Sequence, residues 1–393
     1  MNPSLPCAGA QPTATAATAT HDIATVDPRS CPDWDTLVAS HPEATVFHTS
    51  AWARALLDTY GFTPRYLLQH RASVPVAGLP LMQTGGRWTG RHAVSLPFTD
   101  NCPPLRPDPT PPTPTAGKPG PAASPDPDTP PANSLRAVAP GEPLLSKALD
   151  WTEAAGCRSL EIRDAPAWTH RLTSSVAFHG HLVPLFASVE DQLGRCSPSM
   201  RRALRKAERS PLKLKEGRDL ADVEAYYELH CETRQRHGLP PQPIAFFRNI
   251  HRHLLRHDLG FVILALAQDR PVAGALFLTH RRHALYKFGA SSESHLELRP
   301  NNLVLWQGIR RCAELGFPTL DLGRTSLDNE GLRRFKLGLG GEERLITYVR
   351  QDVRSGCISV TPDRAQGWHT RVFRLLPRPI SRLLGVMLYR FIA

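Results

Sequence analysis

Pro75-Val76-Ala77-Gly78 and Pro271-Val272-Ala273-Gly274 are the same four residues in two places, set in the apolar runs VPVAGLPLM and RPVAGALFL. Each copy is followed by a helical stretch that ends at a glycine and then by a strand carrying an acid in the same register. The two stretches read Gly156-x-x-x-Leu160-Glu161-Ile162 and Gly316-x-x-x-Leu320-Asp321-Leu322. Gly78 to Gly156 is 78 residues and Gly274 to Gly316 is 42, and a Pro-rich insert over 103–133 accounts for most of the difference. Matches recurring in the same order of elements read as two related halves fused head to tail.

With 393 residues there is room for two or three domains, so core size is not limiting. A hydrophobic content of 41% with 21% charged residues is that of an ordinary soluble globular chain. The net charge of +11 and pI near 9.5 point to a phosphate-bearing partner, either a coenzyme, RNA, a nucleotide-sugar or an anionic lipid surface; a general bias toward Arg over Lys is the alternative. The eight cysteines, Cys7, Cys31, Cys102, Cys157, Cys196, Cys231, Cys312 and Cys357, show no C-x-x-C or ligand spacing and read as reduced thiols filling the core. The first residues lack the basic and apolar regions of a signal peptide, and no stretch reaches the ~18 apolar residues of a membrane span. The expected location is cytoplasmic.

Composition and periodicity divide the chain into four parts: a disordered Ala/Thr/Pro-rich segment 1–28, a first module 29–195 with a disordered insert 103–133, a second module 196–352, and a basic amphipathic tail 353–393. In the first module, helices are predicted over Asp33–Ser40, Thr49–Tyr60 and Glu142–Ala155. Strands are predicted over Arg65–His70, Val74–Thr84, His92–Phe98, Arg158–Arg163 and Leu182–Ser188. In the second, Ser197 caps a basic helix, Asp219 caps a long one over Asp219–Arg236, and Ala245–His257 is a third. A meander over Phe261–Gln268, Val272–Thr279 and Ala284–Gly289 then leads to helix Asn302–Leu315, strand Thr319–Gly323, a short helix Leu332–Leu337 and strand Glu343–Arg350. An antiparallel meander between helices predicts a mixed α/β (α+β) fold rather than a doubly wound one.

This order resembles the Gcn5-related N-acetyltransferase (GNAT) fold, specifically its Fem-type (FemAB-like) tandem branch. The resemblance is carried by His41-Pro42, Val46-Phe47-His48-Thr49, Gly78-Leu79-Pro80-Leu81 and Val94-Ser95-Leu96-Pro97-Phe98-Thr99-Asp100. In the second half it is carried by Tyr286-x-Phe288-Gly289-Ala290-Ser291, Pro300-Asn301-Asn302, Asp321-Leu322-Gly323-Arg324 and Phe335-Lys336-x-Gly338-x-Gly340. It covers about residues 31–350. It implies two GNAT-like modules, an acyl donor such as acyl-CoA, and an acyl or aminoacyl group moved onto an amine. The branch includes peptidoglycan interpeptide-bridge aminoacyltransferases and relatives found near bacterial polysaccharide genes. The implied partners are therefore an amine-bearing envelope or polysaccharide precursor and an aminoacyl-tRNA. The family's phosphate-binding R/Q-x-x-G-x-G/A turn corresponds to Arg299-Pro300-Asn301-Asn302 here, without the glycines, so acyl-CoA and aminoacyl-tRNA both stay open as donors.

Several residues then stand out by their chemistry. Arg324, held by Asp321, is placed to bind a phosphate or carboxylate, or else is a structural ion pair beside a turn glycine. Lys336 is a candidate oxyanion stabiliser or a solvated lysine, and Asn301 and Asn302 open a helix that could face an anion. Tyr286 and Tyr348 are candidate proton donors or core tyrosines, and Asp100 either binds the acceptor's ammonium between the halves or caps a turn. Arg201, Arg202, Arg205, Lys206 and Arg209 form a basic helix face that contacts phosphates or simply faces water; without interleaved aromatics, sequence-specific RNA reading and DNA binding are not expected. His253 and His257, one turn apart, lack a third ligand, so no metal is expected. In the tail, Ile380, Leu383, Leu384, Met387, Leu388 and Phe391 fall on one helical stripe flanked by Arg378, Arg382 and Arg390. That stripe suits either an anionic membrane surface or docking on the body of the protein. A catalytically silent scaffold is the alternative from another class.

Overall fold

The computed structural model describes residues 22–86, 89–106, 143–164, 168, 175–353, 355 and 369–391. The first half contains β1 (Asp22–Val26), α1 (Pro32–Ser40), α2 (Ser50–Tyr60), β2 (Thr63–Pro64), β3 (Tyr66–Arg71), β4 (Val74–Leu79), β5 (Met82–Gly86), β6 (Gly90–Val94), α3 (Pro143–Ala154), β7 (Ser159–Arg163), β8 (Val176–Pro184) and α4 (Val189–Arg195). The second contains α5 (Pro198–Glu208), β9 (Lys213–Gly217), α6 (Leu220–Arg236), α7 (Ile244–His253), β10 (Gly260–Ala267), β11 (Arg270–His280), β12 (His283–Ser291), α8 (Pro300–Glu314), β13 (Thr319–Ser326), α9 (Glu330–Gly338) and β14 (Glu342–Asp352). Two helices follow, α10 (His369–Leu375) and α11 (Arg378–Leu388).

The helix starts follow the capping chemistry of the sequence. Thr49 Oγ1 accepts from the Trp52 N–H at 3.3 Å and Ser197 Oγ from the Met200 N–H at 3.2 Å. Asp219 occupies the cap position of α6, but its side chain makes no capping bond.

Two expectations need correction. Residues 22–26 are not disordered: Ile23, Thr25 and Val26 make a β-branched strand that pairs antiparallel with β3, a local signal that the Ala/Thr/Pro composition of 1–28 concealed. The single strand expected over Val74–Thr84 is broken at Pro80, which has no N–H for a ladder, and its two pieces enter different sheets. Most of the insert lies outside the described residues, but its first turn is ordered. Leu105 is buried and exchanges backbone hydrogen bonds with Gly78, 2.8 Å each way.

Strands β1, β3 and β4 form a small sheet. The other eleven form one continuous sheet in the order β2-β5-β6-β7-β14-β8-β13-β12-β11-β10-β9. Two neighbouring pairs in it are parallel, β6–β7 and β12–β13, each joined through a helix, α3 and α8 respectively. The halves exchange strands at the centre. β14, from the end of the second half, pairs with β7, while β8, from the end of the first, lies between β14 and β13. The sheet thus runs across the 195–196 boundary without a break.

On one face, α1, α2, α6 and α7 share a core built on Trp34, Trp52, Tyr226, Phe246 and Phe247. On the other, α5 and α8 pack Leu204, Trp306 and Ile309 over Phe261 and Phe277. Gly308 in α8 sits against the Phe277 ring, which stacks on Phe261 at 5.1 Å, and a Cβ there would overlap that ring. Alanine gains about 1 kcal/mol over glycine in a helix, but overpacking a filled core costs about 1–3 kcal/mol. Gly308→Ala is therefore expected to lower the urea midpoint, and a variant at least as stable as wild type would contradict this packing.

Candidate active site

Strands β12 and β13 pair over three residues only, His283–Thr319, Ala284–Leu320 and Leu285–Asp321, and then part. β13 turns at Gly323, which takes a left-handed φ of 70°, and its register with β8 shifts between Asp321 and Arg324. β12 carries a bulge at Lys287: Phe277 pairs with Tyr286 and Leu276 with Phe288, so Lys287 has no opposite partner.

The opening between the strands receives a loop from the other half of the chain. After β6 the chain runs through Leu96 and Phe98, both with left-handed φ values (65° and 59°) that non-glycine residues adopt at a cost of about 1–3 kcal/mol each. Arg163, itself buried, holds them: its Nη1 donates to the carbonyls of Leu96 and Thr99, 3.2 Å each, and its backbone N–H donates to Ser95 Oγ at 2.7 Å. The Tyr348 hydroxyl accepts from Arg324 Nη1 at 3.0 Å and donates to the Asp100 carbonyl at 2.7 Å. The loop delivers the Asp100 carboxylate to the place where a side chain on Gly323 would point, 2.9 Å from that Cβ position, so residue 323 must be glycine on both counts.

A cluster of opposed charges results. Lys287 Nζ lies 3.4 Å from Asp100 Oδ2, over the rings of Phe47 and Phe288, and Arg324 Nε lies 3.8 Å from Oδ1. The Arg324 guanidinium also covers the Phe178 ring at 4.3 Å. Lys336, only 4% exposed, donates from Nζ to the carbonyls of Gly323 and Arg324, 3.0 Å each. Asp321 Oδ1 accepts from the Gly323 N–H at 2.7 Å, and Asn101 Nδ2 reaches Oδ2 at 3.4 Å. Arg344 bridges the halves, 2.7 Å from Asp164 and 4.0 Å from Asp321.

The two carboxylates are pushed apart. Burial raises both, but at Asp100 the charges of Lys287, Arg324 and Lys336 outweigh it and hold the carboxyl below its ordinary value. At Asp321 burial wins over Arg344 and the Gly323 N–H, and its pKa is raised. Burial brings Lys336 down to about 8, against the pull of Asp100 and Asp321. A carboxylate kept ionised beside one poised to take a proton is a division into binder and base.

Asp100, Asp321, Arg324 and Lys336, separate in sequence, thus meet in one cluster. Tyr286 stands apart. The bulge turns it to the α8 face, 5.6 Å from Phe277, with its hydroxyl against Gly289 and burial pushing it up to about 12. Asn301 and Asn302 open α8, yet their amides are engaged within the protein: Asn301 Nδ2 donates to Ser291 Oγ at 3.0 Å, and Asn302 Nδ2 meets the Met200 sulfur at 3.2 Å. Arg236 reaches the same end of β12, donating to the Ser291 carbonyl at 3.0 Å.

Lys287 and His181 escaped the sequence reading. Lys287 is the unassigned position of Tyr286-x-Phe288, where a lysine inside an apolar strand was the available signal. His181, fully buried near Lys336, makes no hydrogen bond from either ring nitrogen and is pushed down to about 4 by burial and the Lys336 charge; no sequence pattern marks it. His253 pairs with Asp58 at 2.7 Å, and among the described residues no group of three His, Cys, Asp or Glu is placed to hold a metal.

The first half's equivalent of this opening, between β6 and β7, is filled by the loop itself: the Ser95 N–H donates to the Glu161 carbonyl at 2.8 Å and the Cys102 N–H to the Arg163 carbonyl at 3.0 Å.

The profile of the acetyltransferase (GNAT) domain matches residues 194–343, the part of the chain that holds β12, β13, Asp321, Arg324 and Lys336. No curated protein matches the chain in sequence. Among solved structures, FemX superposes with a TM-score of 0.57 at 13% identity, over 83% of this chain and 96% of that one. A tandem GNAT protein from the clavulanic acid biosynthesis pathway gives 0.50 at 12% identity, over 85% and 98%. The C-terminal domain of an Agrobacterium fabrum protein named for lysylphosphatidylglycerol synthesis gives 0.50 at 11%, over 85% and 93%. At such identities the likeness is one of fold.

The depressed Lys336 has a stability signature. Between pH 8 and its ordinary 10.5, the unfolded chain holds a proton that the folded one has released. Wild-type stability is therefore expected to gain on that of Lys336→Met as pH rises through this window. A difference independent of pH, in urea melts of both proteins, would contradict a depressed Lys336.

Proposed function

We propose that this chain, whose residues 194–343 are an acetyltransferase (GNAT) domain within a tandem GNAT fold, is an acyltransferase that moves an acyl or aminoacyl group from a phosphate-bearing donor onto the amine of an envelope or polysaccharide precursor. The observation that carries this reading is the pair of unlike carboxylates, Asp100 and Asp321, beside a buried lysine where β12 and β13 part.

The donor contributes an activated carbonyl carbon, thioester or ester. Asp100, held ionised, binds the acceptor's ammonium at the junction of the halves. Asp321, with its raised pKa, takes the proton as the amine is freed for attack. The C–N bond forms, the C–S or C–O bond breaks, and the proton carried off returns with the leaving group. Lys336 has three donors, two of them on backbone carbonyls, which leaves one for the oxyanion of the tetrahedral intermediate. Arg324 sits at the exposed rim, suited to a carboxylate or phosphate of either substrate.

Both donor classes carry phosphate, and the start of α8 with Arg236 beside it fits such a group. One observation favours aminoacyl-tRNA. α5 packs on α8 through Met200, beside Asn302, and its Arg202, Arg205, Lys206 and Arg209 are exposed. That gives a basic surface leading from the phosphate end, larger than a coenzyme needs.

Thermal-shift titration with coenzyme A, acetyl-CoA and an aminoacyl-tRNA preparation identifies the donor, since a ligand at ~100 times its Kd adds about 2.7 kcal/mol to folded stability. With that donor and an amine acceptor, Lys336→Met is expected to lower turnover by about 100-fold while remaining folded. Undiminished turnover, or no shift with any of the three, would remove this reading.

A further inference from the structure

Helix α11 is mounted with its small face inward. Ser381 and Gly385 are buried, and a Cβ on Gly385 would overlap the Pro241 carbonyl. Tyr389, one residue beyond the helix, anchors the end: its hydroxyl accepts from Arg234 Nη2 at 2.7 Å and its ring meets Phe98 at 5.6 Å, two residues before Asp100. Arg378 pairs with Glu232 and Arg382 with Glu228 on α6. The tail therefore docks on the body, one of the two arrangements open from the sequence, but it does so without using its large apolar side chains.

Those point outward. Leu383 is 61% exposed, Met387 58%, Phe391 49% and Ile380 47%, with Val386 beside them. A helix on a globular body normally turns its large apolar residues to the core and its small or polar ones to water. Here the arrangement is inverted, and the result is a contiguous apolar surface of the kind that marks an interaction site. An open cavity of about 550 Å³ adjoins it, with Ile244, Tyr227, Leu383 and Val386 in its lining.

We infer that the outward face of α11 docks this protein on an anionic lipid surface. The charge around the face selects the occupant. Arg374 and Arg390 are exposed with no acidic partner among the described residues, Arg378 and Arg382 border the same face, and the sequence has no acid after Asp363. A second copy would bring these arginines against their equals. Anionic headgroups would answer the arginines while the acyl boundary takes up the leucine, methionine and phenylalanine side chains. Among the described residues no helix is long and apolar enough to cross a membrane, so the contact is interfacial. The inference is independent of the acyl-transfer reading, because vesicle binding is read without turnover.

The full chain is sedimented with vesicles of phosphatidylcholine alone and of phosphatidylcholine with phosphatidylglycerol, at low and high salt. The expected result is co-sedimentation with the phosphatidylglycerol vesicles that weakens with salt. It falls at least about tenfold in the double variant Leu383→Glu, Met387→Glu, whose exposed positions leave the melting temperature unchanged. Should that variant melt early, the double variant Arg374→Glu, Arg390→Glu, at exposed positions, is expected to lose the same binding. Wild type remaining in the supernatant with both vesicles would overturn the inference. So would binding that the variants leave intact, or a wild-type dimer that the variants dissolve.

Discussion

Everything at the centre of this molecule depends on placing one carboxylate, Asp100, inside protein that does not belong to its own half. Burying a charge costs several kcal/mol unless partners meet it. Three cations do so, Lys287, Arg324 and Lys336, and all of them come from the second half. The loop that brings Asp100 there is strained at Leu96 and Phe98, and Arg163 and Tyr348 fix it through its backbone carbonyls. Tyr348 lies on β14, a second-half strand seated beside β7 of the first. The same strand exchange that closes the sheet therefore positions the loop that completes the opening.

This arrangement explains why a duplicated chain has one open site rather than two. In the second half the parallel pair β12–β13 parts at a glycine, and the space beyond is lined by groups contributed from both halves. In the first half the parallel pair β6–β7 parts as well, but its own continuation fills the space with backbone hydrogen bonds. The insertion between β6 and α3 gives that continuation its length. Duplication supplied two frames, and one of them became the wall of the other.

The repeat that identifies the fold was legible because strand and helix periodicities survive in both copies, although Pro80 divides the first copy between two sheets. Asp100, Asp321, Arg324 and Lys336 were legible as charged residues at strand ends or in Gly-rich turns. Lys287 was not, because alternation assigns Tyr286 and Phe288 to one face, and only the bulge separates them. Asn301 and Asn302 were legible as a helix start, but the partners that engage their amides, Ser291 and Met200, are set by packing between elements. The tail gives the same lesson. Its apolar stripe is plain in the sequence, whereas the choice of the Ser381–Gly385 face for docking depends on the shape of the Pro240–Pro241 turn beneath it.

The claim on which the rest stands is that Asp100 and Lys336, from different halves, form one electrostatically coupled site. The direct test is an NMR titration of the Lys336 ammonium in wild type and in Asp100→Asn. Lys336 is expected to titrate near 8 in wild type and lower in the variant, because burial depresses it while the Asp100 charge holds it up. A Lys336 that titrates at its ordinary value in both proteins, or at the same value with and without the Asp100 charge, would contradict a shared site.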